Sequence, residues 1–248
     1  MRERCECAAL ILAAGEGTRM KSSLAKVLHR VVGKTMIRHV LETVKAVSPS
    51  RIVIVIGHQA DAVRSELEGE KVEFLFQEPC LGTGHAALMS ERSFDGFAGT
   101  IVVLNGDTPL LRPRTLERLV AFHRGESALA TVLSAEIDDP AGYGRIARDG
   151  QGIFLRITEH KDASDSVRAI REINSGIFCF ESVDLFSALK RVGRRNVQGE
   201  YYITDVMEIL QGEGKRVAVF RCDQREEVLG INTVEQLHAA ERLMKRDG

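Results

Sequence analysis

Apolar residues along the chain fall into two alternating patterns, short unbroken runs and longer stretches where they recur on one helical face. The runs "AALILAA", "RIVIVIG", "VEFLFQ", "TIVVLNGD" and "LATVLSA" are rich in Val, Ile and Leu, as strands buried on both faces of a parallel sheet are. Between them, "TMIRHVLETVKAV" sets Met36, Ile37, Val40, Leu41, Val44 and Val47 on one helical face, and "PRTLERLVAFH" opens with a proline suited to a first turn. The alternation predicts an α/β fold: a Rossmann-like, mostly parallel sheet with helices on both faces.

After about residue 140 the pattern changes to "GYGRIARDGQGIFLRITEHKD", where turn glycines separate β-type runs, then to "INSGIFCFESVDLFSALKRV" and "EYYITDVMEILQ". This predicts an antiparallel or mixed insertion over the sheet, followed by a return of strand and helix, with a terminal helix in "VEQLHAAERLMKRDG". There is no linker, low-complexity segment or hexapeptide repeat. The expectation is one domain over 1–248, with one lobe mainly at 1–135, a smaller mixed-β lobe at 136–232, a C-terminal helix at 233–248 and no left-handed β-helix.

Composition narrows the function classes. With 34 basic against 35 acidic residues the chain carries no global field toward nucleic acid or an anionic membrane, so any anion site is built locally. No apolar run reaches the roughly 18 residues of a membrane span, and the start "MRERCECAALILAAG" lacks the cleavage site of a secretory signal, so a cytoplasmic protein is expected. Cys5, Cys7, Cys80, Cys179 and Cys222 are scattered without a C-x-x-C pair, against a disulfide framework or a structural zinc. They read as packing residues. For Cys80 the alternative is an exposed, reactive thiol, and packing carries more weight.

In an open parallel sheet, ligands bind beyond the carboxyl ends of the strands, and four segments there carry chemistry. Gly15-Glu16-Gly17-Thr18-Arg19 offers backbone N–H groups and a guanidinium to phosphates; the alternative is a plain strand-to-helix turn. It is not the dinucleotide fingerprint, which needs a small residue where Met20 stands, and Gly33-Lys34-Thr35 is not a P-loop, because Leu28 takes the place of its first glycine. Asp107, in "NGDTP" at the end of a strand, suits Mg²⁺; the alternative is an Asx-turn or a helix cap.

Gln77 has a donor and an acceptor for a base edge, and Gly82-Thr83-Gly84 sits at a helix start, with His85 supporting that turn. Glu159-His160-Lys161 and Asn174-Ser175-Gly176 set polar groups beside turns, as a sugar site requires, or form a solvated charge run. The histidines show no arrangement suggesting zinc or a catalytic triad.

Together, "LAAGEGTRM", "KVLHRVVGKTMI", "LGTGHA", "NGDTPLL", "DPAGYGRI", "TEHKDAS", "EINSGI", "QGEYYITD" and "GINT" resemble the uridylyltransferase domain of bacterial N-acetylglucosamine-1-phosphate uridylyltransferases. The resemblance implies the nucleotide-diphospho-sugar transferase fold, with 1–135 as the nucleotide-binding lobe and 136–232 as the sugar-binding lobe. It implies that Leu12, Ala13 and Gly15 contact the nucleotide, that Gln77, Gly82 and Thr83 read uracil, and that Arg19 and Lys26 are the catalytic phosphate-binding cations. By the same resemblance Asp107 and Asn232 hold Mg²⁺, while Gly144, Glu159 and Asn174 contact the acetylamino sugar.

The implied reaction joins UTP and N-acetylglucosamine 1-phosphate into UDP-N-acetylglucosamine and pyrophosphate, a cell-envelope precursor step. The rivals are a transferase for another sugar or base, such as glucose 1-phosphate or dTTP, and a nucleotide-sugar-binding module without activity. Two positions depart from the family pattern. Ala25 stands where proline usually precedes the lysine, so a less rigid loop is expected, and Asn105 stands where some members have an aromatic. Bifunctional members continue into an acetyltransferase β-helix, and no acetyl transfer is expected of this chain.

Overall fold

A computed structural model describes residues 6–247; Cys5 lies outside them. In chain order the elements are β1 (Cys7–Ala13), β2 (Arg30–Val31), β3 (Lys34–Thr35), α1 (Met36–Ala46), β4 (Ile52–Ile56), α2 (Ala60–Glu66), β5 (Glu73–Phe76), α3 (Thr83–Met89) and β6 (Thr100–Asn105). They continue as α4 (Pro113–Gly125), β7 (Ala130–Glu136), β8 (Arg145–Arg148), β9 (Phe154–Thr158), α5 (Asp165–Arg168), β10 (Glu172–Glu181), α6 (Ser182–Leu189), α7 (Asp205–Gly212), β11 (Val217–Arg221) and α8 (Val234–Asp247). Each apolar run is a strand, both amphipathic stretches are helices, and Pro113 occupies the first turn of α4.

The main sheet runs β11-β7-β10-β6-β1-β4-β5, and every strand on that path except β10 points the same way. Side chains of successive strand residues go to opposite faces, and the core divides accordingly. Ala9, Ile11, Ile54 and Ile56 face Ile37, Val40, Leu41 and Val44 of α1 and Leu116 and Leu119 of α4. Ala8, Leu10, Val53 and Val55 share the other face with Ala86 of α3, Leu185 of α6 and Met207 of α7. All of β4 is buried, so "IVIVI" shows no polar alternation.

The expected insertion over the sheet takes a different form. β10 is a central strand, paired antiparallel to both β6 and β7, and only the hairpin β8–β9 projects, joined to β10 through the pair Ile173 and Arg145. Residues 136–232 therefore share the main sheet with the first lobe. β11 is a strand that the pattern of runs did not predict; its residues are only half buried, and it lies parallel to β7 at the sheet edge.

The parallel strands deliver the loops after β1, β4, β5 and β6 to one sheet end. β10 arrives from the opposite direction and meets the end of β6 with a bulge between Asn174 and Phe178, which lifts Ser175, Gly176 and Ile177 out of the ladder with β7 and leaves Asn174, paired with Ser134, at its edge. The register pairing Phe178 with Val103 sets Gly176 opposite Asn105. Gly176 has φ +76, and a Cβ there would overlap the Asn105 amide, so glycine fits this turn.

Candidate active site

The strand ends, the bulge and the hairpin enclose a cleft of about 600 Å³. Leu12, Ala13, Gly15, Arg19, Lys26, Gln77, Gly82, Thr83, Asp107, Gly144, Glu159, Asn174 and Asn232 all line it, although they are scattered through the sequence. Tyr143, Tyr202, Thr204, Cys80 and Asn105 are among the other residues of its wall.

One end of the cleft is a charge network. Lys26 donates to the Asp107 carboxylate and, at 3.0 Å, to Asn232 Oδ1, while Arg19 Nη2 donates to the same amide oxygen at 2.8 Å. Asp107 does not cap a helix, since α4 begins only at Pro113. Asn232 is fixed from behind. Ile231 N–H donates to the Asp107 main-chain oxygen at 2.9 Å. Thr233 and Gln236 form a reciprocal capping box at the start of α8, and Gln236 Oε1 also accepts from the Asn232 N–H at 2.7 Å.

Gln77 is 4% exposed, and its amide nitrogen serves both the Gly82 carbonyl at 3.1 Å and His85 Nδ1 at 2.9 Å. Burial holds His85 below its ordinary pKa, so its ring is neutral and able to accept. His85 thus supports the Gly82 turn through Gln77. That turn is also tied to the "QGEYYITD" loop: Gly84 N–H donates to Tyr201 O at 2.8 Å, Tyr201 N–H to Leu81 O at 2.9 Å, and Ile203 N–H to Thr83 Oγ1 at 3.1 Å. Gly82 has φ +105, and a Cβ there would lie 2.5 Å from Tyr201 O.

The other end is acidic. Glu159 accepts from Thr204 Oγ1 at 3.1 Å, and Tyr202 donates to Asp162 at 3.3 Å. Burial pushes the Glu159 carboxyl up, the Thr204 hydrogen bond works against it, and Asp205, Asp162 and Glu200 add to it. The glutamate of "EHKD" is therefore no solvated surface charge. Asn174 N–H donates to the Gly144 carbonyl at 2.9 Å, and Asn174 Oδ1 accepts from Gly176 N–H at 2.8 Å.

One sequence expectation is corrected here. Cys80 is exposed on the cleft wall rather than packed, with Sγ 3.6 Å from the carbonyls of Ala14 and Gln77. Burial, then Glu16, Glu78 and Glu200, raise its pKa, so exposure does not make it a thiolate. Cys7, Cys179 and Cys222 are buried, and burial pushes Cys7 up to about 11.

Residues 9–173 match the model of the MobA-like NTP transferase domain. The chain belongs to that NTP transferase family. Among its relatives, the bifunctional protein GlmU of Halalkalibacterium halodurans is 52% identical over 238 residues, 96% of this chain and 52% of the relative. The bifunctional protein GlmU of Enterococcus faecalis is 48% identical over 238 residues, with 96% and 52% covered. The chain thus spans about half the length of the curated relatives it matches.

The NTP transferase fold is also that of a Bacillus anthracis chain, provisionally named a glucose-1-phosphate thymidylyltransferase and crystallised with sucrose. Its TM-score is 0.73 at 24% identity, covering 96% of this chain and 94% of that one. Among the described residues no helix is long and apolar enough to cross a membrane, and no three His, Cys, Asp or Glu side chains gather to hold a metal ion. A cation held in this NTP transferase would draw its remaining ligands from substrate and water.

Sequence reasoning missed three residues that shape the site. Gln59 anchors the loop carrying Lys26, Arg145 is buried beneath Gly144, and Thr204 holds Glu159.

Proposed function

We propose that this chain transfers UMP from UTP to N-acetylglucosamine 1-phosphate, releasing pyrophosphate, and that it works in the cytoplasm. The observation that carries the reading is the single cleft. It sets two cations, a carboxylate and an amide oxygen at one end, a buried glutamine on one wall, and a glutamate with an asparagine beside the β10 bulge at the other end. The substrate pair comes from the resemblance of the segments bearing these residues.

The attacking oxygen of a sugar phosphate is anionic at neutral pH, so no general base is needed. It attacks the α-phosphorus in line; the bond from that phosphorus to the bridging oxygen breaks, and its electron pair leaves on pyrophosphate. The glycine loop and Arg19 hold the leaving phosphates, and Lys26 turns from Asp107 toward the α-phosphate. Asp107 and Asn232 supply the hard oxygen donors that Mg²⁺ prefers, and Mg²⁺ bound there would neutralise phosphate charge.

With both amide hydrogens of Gln77 engaged, its Oε1 is left to accept the imide N–H of uracil. Cytosine has an acceptor at that ring nitrogen and is refused. Glu159, Asn174 and Gly144 receive the sugar.

A panel of sugar 1-phosphates crossed with nucleoside triphosphates, scored by pyrophosphate release, tests the reading. UTP with N-acetylglucosamine 1-phosphate is expected to lead. Preference for another pair would reassign the substrates, and tight binding of UDP-sugar without pyrophosphate release would make the chain a binding module.

A further inference from the structure

Arg145 is 1% exposed and heads the fully buried side chains by size. Its donors all go to main-chain oxygens: Nη1 to Tyr143 O, and Nε and Nη2 to Arg168 O at 3.4 and 3.3 Å. No carboxylate lies within ion-pair distance among the described residues. A buried charge without a counter-ion is costly and is kept only where hydrogen bonds offset the lost hydration.

What those bonds fix is a peptide plane. The Tyr143 carbonyl and the Gly144 N–H belong to one planar trans peptide and point in opposite directions. Drawing the carbonyl down onto Arg145 turns the Gly144 N–H away from the interior. Gly144 lines the cleft, and its N–H donates to no partner among the described residues. Its own carbonyl is held by Asn174 N–H at 2.9 Å, and a Cβ on it would lie 3.4 Å from each carboxylate oxygen of Glu159.

We propose that Arg145 is a positioning residue for sugar recognition: by holding the Tyr143 carbonyl it presents the Gly144 N–H to the cleft as a donor, beside the Glu159 acceptor. A donor and an acceptor side by side suit a ligand with a carbonyl next to a hydroxyl, as an acetylamino sugar has. The inference rests on the sugar-1-phosphate reading above.

The test is titration calorimetry of UDP-N-acetylglucosamine and of UDP against wild type, Arg145→Met and Arg145→Lys. Arg145→Met is expected to weaken the sugar nucleotide about tenfold while UDP binds as before, and Arg145→Lys, which keeps the charge without the planar fork, to fall between. A folded Arg145→Met variant with an unchanged ratio of the two affinities would overturn the proposal. Where that variant does not fold, an unchanged ratio in Arg145→Lys overturns it. A wild-type protein that binds UDP but gains nothing from the sugar would instead overturn the functional reading beneath it.

Discussion

Lys26 donates from its ammonium to Asp107, 81 residues away, and at 3.0 Å to the Asn232 amide oxygen. The oxygens proposed for a divalent cation are thus already met by the chain's own cation, with the Lys26 and Asp107 side chains only 16% and 14% exposed. Gly17 lies so close that a Cβ on it would overlap Lys26 Cβ, so the glycine loop proposed to hold phosphates packs directly on Lys26. Metal and nucleotide are expected to favour each other's binding by the same factor. Without nucleotide, Lys26→Met is expected to bind Mn²⁺ roughly tenfold more tightly than wild type, read by electron paramagnetic resonance of the free ion. Equal affinities would show that Lys26 does not compete for these oxygens.

Asp107→Asn separates chemistry from folding. The main-chain bond from Ile231 to Asp107 survives the change, so the loops stay joined. Loss of one preorganised charge costs about 3 kcal/mol of transition-state stabilisation, so pyrophosphate release with Mg²⁺ is expected to fall by at least about 100-fold. The melting temperature is expected to stay within about 3 °C. Unchanged turnover would remove Asp107 from the metal site.

The loop carrying Lys26 is held in place of its missing proline. Ala25 has φ −53 and ψ 134, angles that proline favours, and its N–H, which proline lacks, donates to Gln59 Oε1 at 2.7 Å. Gln59→Ala is therefore expected to raise the KM for UTP and lower kcat. Ala25→Pro added to that variant is expected to restore both, because the ring constrains the same backbone and no hydrogen bond remains to be lost. Steady-state kinetics on the single and double variants decide it; no recovery would mean that other contacts hold the loop.

How much of this was legible in the sequence depends on whether the cause was local. Runs such as "IVIVI" announce strands because both faces are buried, and Asp107 stood out by ending such a run. β11 was missed because its half-buried residues give neither a long run nor a clean alternation. The place of β10 inside the sheet is a non-local pairing that no local pattern encodes. Arg145 reads as a surface charge by residue type, and Gln59 acts on a loop 34 residues away from a left-handed conformation at φ 52. Asn232, Lys26 and Gly144 entered through resemblance, whereas Glu159 and Asn174 stood out as polar groups beside turns. Their gathering in one cleft depends on strand order.

Two glycines of the cleft are expected to respond differently to alanine. A Cβ at Gly15 meets nothing within 4 Å, whereas at Gly82 it meets the main-chain oxygen of Tyr201, at φ +105. Gly82→Ala is expected to cost about 1–3 kcal/mol of stability and to raise the KM for UTP by parting the two loops. Gly15→Ala is expected to fold as wild type and lose activity only, by crowding the path of phosphate. Thermal melts beside kinetics read both; a normal melt for Gly82→Ala would show that the Tyr201 loop yields freely.

The acidic end sets a pH dependence whose sign differs for stability and for binding. Asp205, half buried at the start of α7, is pushed up to about 6 by burial, then by Glu208 and Asp162. In the unfolded chain it titrates near 3.8, so the folded state holds a proton that the unfolded state has released. Its favourable contribution is complete below about 3.8 and is lost as pH rises through about 6. The wild-type melting temperature is therefore expected to fall relative to that of Asp205→Asn across this window and to run parallel to it at higher pH. Parallel curves throughout would mean that Asp205 titrates alike in both states. Glu159, the acceptor proposed for sugar hydroxyls, is also raised by burial and would accept best when ionised, so the KM for the sugar 1-phosphate is expected to fall as pH rises through its titration. A KM that stays flat with pH in wild type, matching that of Glu159→Gln, would remove Glu159 from sugar binding.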